Sequence, residues 1–127
     1  MKTIVLAYND TASSNRALER AAELARFYEA KLVVTSVVPV LVGAEPSSGP
    51  GLELQQADAR LRELGHEPEL VEAVGEIAEA IVEVGVSREA DLIVVGTREP
   101  SQVERLLGHS VSEAVQRMAH CDILIVH

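Results

Sequence analysis

Strand-like and helix-like patterns alternate along this chain, and that alternation restricts its fold more than any other feature. Thr3 to Tyr8 is a continuous apolar run broken by Asn9-Asp10, and Leu32 to Val38 is a second, stopped by Pro39. Glu69 to Val74 alternates polar with apolar residues, the pattern of an outer strand half exposed to water. Leu92 to Val95 and the closing segment from Asp122 to His127 complete the set of five. Between these runs, apolar residues recur by threes and fours. The stripes are Ala17, Leu18, Ala21, Leu24, Ala25 and Tyr28; then Leu54, Ala57, Leu61 and Leu64, closed by Gly65; then Ile77, Ile81 and Val84, opened by Gly75-Glu76; then Val111, Ala114, Val115 and Met118. Asp10, Thr11 or Ser13 can cap the first helix, and Glu76 and Glu79 sit near the N-terminal dipole of the third.

Strands alternating with helices are joined by right-handed crossovers into a mainly parallel sheet. The expectation is an α/β three-layer sandwich with a five-stranded parallel sheet of order 3-2-1-4-5 and helices on both faces. Winding then reverses between the first and fourth strands, and ligands of such sheets bind at the carboxyl ends beside that reversal. Here those ends are Asn9-Asp10 and Gly96-Thr97.

A chain of 127 residues, 47% of them hydrophobic, suits one domain over residues 1–127 with one substantial core. Aromatic residues make up only 2%, so Val, Leu, Ile and Ala must fill it, as in parallel sheets covered on both faces. Twenty acidic residues against 11 basic ones give a net charge of −9. Without a Lys/Arg cluster, counterion release has no source, which argues against nucleic acid and acidic membranes as partners. Cys121 has no second cysteine to pair with, MKTIVLAYND turns polar too early for a signal peptide, and no apolar run nears the roughly 20 residues needed to span a bilayer. A soluble, cytoplasmic protein is expected. The stretch from Pro39 to Gly51, rich in Pro, Gly and Ser, reads as a mobile loop, with a tolerated insertion as its simplest role.

The most informative local arrangement is Ala90 to Val111, ADLIVVGTREPSQVERLLGHSV: a strand, the turn at Gly96, and a helix start at Ser110. Free N–H groups and the positive dipole end at a helix start can hold an anion. Ser110-Val111-Ser112-Glu113 has the form of a capping box, which by itself accounts for Ser110 and Glu113. Arg98 can meet a phosphate, or simply be solvated or paired with a nearby Glu.

Other chemistries are less well served. A receiver domain needs a further Asp after the third strand and a Lys after the fifth, and neither is present. A flavodoxin needs aromatics around its flavin, and this chain holds two Tyr and one Phe. His66, His109, His120 and His127 are scattered, not clustered as metal ligands. Cys121 is expected to begin the last strand, where it and His120 would point to opposite faces and not act as a nucleophile pair.

The segments IVLAYND, SSNRALERAAELA, VVTSVVPV, GEIAEAI, ADLIVVGTRE and LLGHSVSEAVQRMAHCDILIVH, in that order, resemble the universal stress protein (UspA-type) family across essentially the whole chain. The resemblance implies a Rossmann-like α/β domain that dimerises, often through its last strand. The apolar edge Ile123 to Val126 agrees with that, since such an edge needs a partner.

Some members of the family bind ATP through a pattern of Gly, two residues, Gly, nine residues, Gly, then Ser or Thr. Aligned on Ser110-Val111, the pattern puts Gly96 on the first glycine, Glu99 on the second and His109 on the third. Bare glycine backbone lets amides approach phosphate oxygens, and Glu99 instead sets a carboxylate beside them, a repulsion of about 4 kcal/mol per charge pair at 4 Å and an effective dielectric of 20. Asn9 replaces the family's usual Asp after the first strand, yet its amide can still pair with an adenine edge, so the resemblance leaves an adenine slot formed by Asn9 and Val37.

The expected function is a non-enzymatic stress-response module with a degraded nucleotide site, acting through dimerisation and protein interaction or as a weak sensor of a small ligand. No cofactor is a firm requirement, and weak affinity for ATP or AMP is what the residues leave. The alternative is a functional ATP/AMP binder, or a slow ATP hydrolase, using Asn9, Val37, Gly96, Arg98, Ser110 and Val111.

Overall fold

The computed structural model describes residues 1–38, 51–97 and 111–127. The strands are β1 (Thr3–Ala7), β2 (Lys31–Val38), β3 (Glu69–Val74), β4 (Leu92–Gly96) and β5 (Asp122–Val126). Helices α1 (Ala12–Tyr28), α2 (Leu52–Glu63), α3 (Ile77–Ser87) and α4 (Val111–Met118) alternate with them. The five strands are parallel throughout and lie in the order β3-β2-β1-β4-β5, as the alternation predicts.

Each inner strand is buried on both faces because successive side chains point opposite ways. Ile4, Leu6, Leu32, Val34, Leu92 and Val94 pack under α1 and α2. Val5, Val33, Ile93 and Val95 face α3 and α4 instead. On α1 the small residues Ala17, Ala21, Ala22 and Ala25 are all buried, so the helix lies close to the sheet. Two residues expected in the helical stripes are exposed: Tyr28 and Leu64, at the ends of α1 and α2, at 45% and 41%.

Local chemistry fixes the helix ends. Thr11 caps α1, its Oγ1 accepting from the Ser14 amide at 3.2 Å. Glu76 caps α3, its carboxylate accepting from the Ala78 and Glu79 amides at 3.2 and 2.8 Å. At the far end of α1, Glu29 takes a left-handed conformation with φ 52°, and the Ala30 amide reaches back to the Ala25 carbonyl at 2.9 Å.

The junction that matters for a ligand is β1 against β4. Ile4, Val5 and Leu6 pair with Leu92, Ile93 and Val94, and the winding reverses across this seam. At its amino end the Asp91 carboxylate accepts from the Lys2 and Thr3 amides at 2.7 and 3.0 Å. At its carboxyl end, past the Leu6–Val94 pair, lies a cleft.

Candidate functional site

The cleft has a volume of about 270 Å³ and opens at the carboxyl ends of β1, β2 and β4. Asn9, Val37, Gly96 and Val111, which are far apart in sequence, all line it. Arg98, His109 and Ser110 lie outside the described residues, as do Glu99, Ser110's part of the capping box and the loop of residues 39–50.

Asn9 follows β1 directly and is held by the start of α1. Its amide donates to Ser14 Oγ at 3.0 Å, and its side-chain oxygen accepts from the Thr11 hydroxyl at 2.9 Å. One lone pair of that oxygen is therefore already engaged, which leaves the side-chain NH₂ and the second lone pair for a ligand. Between Asn9 and Thr11, Asp10 adopts φ 54°, a left-handed conformation in which a non-glycine residue is strained. The buried Tyr8 hydroxyl steadies this turn, sharing its proton between Asn15 Oδ1 at 2.7 Å and Asp10 Oδ1 at 3.1 Å. Burial, and then the Asp10 carboxylate, push the Tyr8 phenol above its ordinary pKa, so it stays protonated and acts as a donor.

Gly96 is glycine for a reason that the sequence pattern does not carry. A Cβ there would meet the Ser13 carbonyl carbon at 2.7 Å and the Ser13 oxygen and Ser14 nitrogen at 2.8 Å. The end of β4 thus lies directly against the first turn of α1, and the bare backbone serves helix–strand packing.

The remaining walls are mostly aliphatic. Ile77 and Ile81 come from α3, Val95 from β4 and Ala7 from β1. Three polar residues that sequence reasoning passed over also line the cleft: Thr35, Glu53 and Ser14. Glu53, in the first turn of α2, accepts from the Ser36 hydroxyl at 2.6 Å and is the one ionised side chain among the described lining residues. Thr35 and Ser36 together interrupt the apolar run of β2 as VVTSVV, and two hydroxyls inside an otherwise aliphatic run were the signal that could have found them.

Among the described residues no group of His, Cys, Asp and Glu is placed to hold a metal ion. The hydroxyls of Thr11 and Ser14 are committed to capping and to the Asn9 amide. Cys121 does not begin the last strand as expected; it lies one residue before β5, and it and His120 line the same small crevice beside Ala90. Burial pushes its thiol pKa up, away from nucleophilic use. No helix among the described residues is long and apolar enough to cross a membrane.

The same fold recurs in known proteins. A universal stress protein solved in complex with cAMP superposes with a TM-score of 0.82 at 29% identity, covering 99% of this chain and 97% of that one. An Archaeoglobus fulgidus universal stress protein solved with dAMP shares the fold, with a TM-score of 0.72 at 21% identity and coverage of 100% and 98%. A universal stress protein of Methanocaldococcus jannaschii is 31% identical over 98% of this chain and 81% of its own length. Universal stress protein A homolog 1 of Coxiella burnetii is 33% identical, with coverage of 98% and 95%. The model of the Universal stress protein family matches residues 1–127 from end to end. By fold, by relatives and by that match, the chain belongs to the universal stress protein family.

Proposed function

We propose that residues 1–127 act as one non-catalytic, cytoplasmic universal stress protein domain that binds an adenine mononucleotide, AMP or cAMP, in the cleft between β1 and β4, in preference to ATP. The observation that carries this reading is the convergence of Asn9, Val37, Gly96 and Val111 on one small cleft lined by both aliphatic and polar side chains. Its volume of about 270 Å³ lies just below the range for ligand sites, roughly 300–1,000 Å³. That favours one base and its sugar. The 29% identical relative binds cAMP, which supports a mononucleotide.

The preference against ATP comes from the sequence. Glu99 and His109 replace the second and third glycines of the pattern, with Arg98 and Ser110 left as partners for one phosphate. The described lining supplies no cation, and Glu53 adds negative charge. We assign the homodimer to β5, whose one partner strand among the described residues is β4, leaving its other edge to a second copy.

Calorimetric titration of nucleotide-free protein tests the reading. AMP or cAMP should bind in the micromolar range and ATP at least about 10-fold more weakly, a gap of about 1.4 kcal/mol. ATP binding as tight as AMP would overturn the preference, and failure of all three to bind would overturn the reading.

A further inference from the structure

Thr35 is fully buried, it lines the cleft, and its Oγ1 has no hydrogen-bond partner among the described residues. Its backbone is well satisfied, the carbonyl accepting from the Tyr8 amide at 2.9 Å. The side chain is the anomaly. It projects on the α3 face of the sheet, the face of Val33 and Val37, and the cleft around it is walled by Ala7, Val95, Ile77 and Ile81. A valine has the same shape and would pack there without burying a polar atom. A buried hydroxyl left unpaired is a cost that folding alone does not repay.

A ligand atom that descends into the cleft does repay it. Phosphate is the wrong chemistry beside Thr35, since the described lining of the cleft supplies no cation and its one charge is the Glu53 carboxylate. A purine fits, because its two faces are apolar while its rim carries ring-nitrogen acceptors and, in adenine, an amine donor. A threonine hydroxyl both donates and accepts, so it can serve either kind of rim atom. We propose that Thr35 is the specificity-determining residue of the cleft, its lone hydroxyl hydrogen-bonding an edge atom of a purine base held between the aliphatic side chains of β1, β2 and α3. This rests on the mononucleotide reading for the identity of the ligand, and the two are tested separately below.

Adenosine and AMP are titrated against wild type, Thr35→Val and Thr35→Ser, and each ligand-free protein is melted. Thr35→Val should weaken adenosine binding about 5- to 10-fold, the effect of one lost hydrogen bond, while Thr35→Ser stays within about 3-fold of wild type. Ligand-free Thr35→Val should melt at or above the wild-type temperature, because an unpaired hydroxyl has been removed. A lower melting point would show that the protein itself satisfies the hydroxyl, and unchanged affinity in Thr35→Val would show that no ligand uses it; either result overturns the proposal. If adenosine binds in a Thr35-dependent way and AMP does not bind, the mononucleotide reading fails and the role of Thr35 stands. If neither ligand binds wild type, both fail.

Discussion

Gly96→Ala should destabilise the protein through a single close approach. The added Cβ would lie 2.7–2.8 Å from three backbone atoms of Ser13 and Ser14, against an ordinary contact of 3.4 Å or more, so α1 and β4 must part by about 0.7 Å (3.4 − 2.7). Neither side can yield by rotating a side chain. A gap of 0.5–1 Å forfeits a quarter to a half of the dispersion energy along the opened contact, and overpacking of this kind costs about 1–3 kcal/mol. The backbone of Gly96 is not left-handed, so alanine also gains about 0.4–1 kcal/mol by restricting the unfolded chain. The net loss is about 1–2 kcal/mol. At roughly 4 °C per kcal/mol for a chain of this size, Tm should fall by about 4–8 °C. Circular dichroism melts give the shift, and urea titration with an unchanged slope shows that the native state is what lost stability. Gly85→Ala is the control: its Cβ meets only the Ile93 side chain, Cδ1 at 2.8 Å and Cγ1 at an ordinary 3.5 Å, so that a shift of one side-chain end relieves it, and alanine improves helix propensity by about 1 kcal/mol. That variant should melt within about 3 °C of wild type. If Gly96→Ala melts within 1 °C of wild type, or Gly85→Ala proves the more damaging, steric contact at the β4–α1 junction is not why residue 96 is glycine.

Glu29→Gly should raise the urea midpoint, since Glu29 is exposed and left-handed at φ 52°, a conformation that costs a non-glycine residue about 1 kcal/mol; an unchanged or lower midpoint refutes the strain. Glu69 accepts from Lys31 at 3.0 Å and from Arg88 at 2.9 Å, and the Lys31 contact first, then Arg88, holds its carboxyl below the ordinary 4.5. A carboxylate lowered in the folded state contributes stability that is present above 4.5 and lost as pH falls through the folded value. Glu69→Gln should therefore flatten the acid side of the Tm–pH curve below pH 4.5 and leave its shape unchanged near neutrality, and an identical acid limb in the variant rules this out.

The strand order was legible because period is a strong signal: continuous runs at Thr3–Tyr8 and Leu92–Val95 mark strands buried twice, and the alternation in Glu69–Val74 marks the edge. Helix starts were nearly as clear, since Thr11 and Glu76 supply the oxygen that unpaired amides require. Four of the expected site residues, Asn9, Val37, Gly96 and Val111, do meet in one cleft. What escaped notice depends on contacts between distant segments. Nothing local in VVTSVV says that Thr35 lacks a partner, because that depends on which residues of distant segments, Ile77, Ile81 and Val95 among them, line the cleft with it. Gly96 was found through its motif, but its packing against Ser13 belongs to a helix some eighty positions away. Tyr28 and Leu64 keep helical spacing yet are exposed at the helix ends, and periodicity carries no information about where burial stops.

The β1–β4 ladder runs for only three residue pairs, fastened at one end by Asp91 and open at the other where the cleft begins. The sheet therefore has a short zipper at its middle, with β3-β2-β1 as one panel and β4-β5 as the other. A molecule wedged between Val37 and Gly96 grips both panels at once, so occupancy should slow amide exchange along the whole zipper, including positions the ligand never touches. Filling the cleft thereby becomes a statement about how firmly the two halves of the chain hold together.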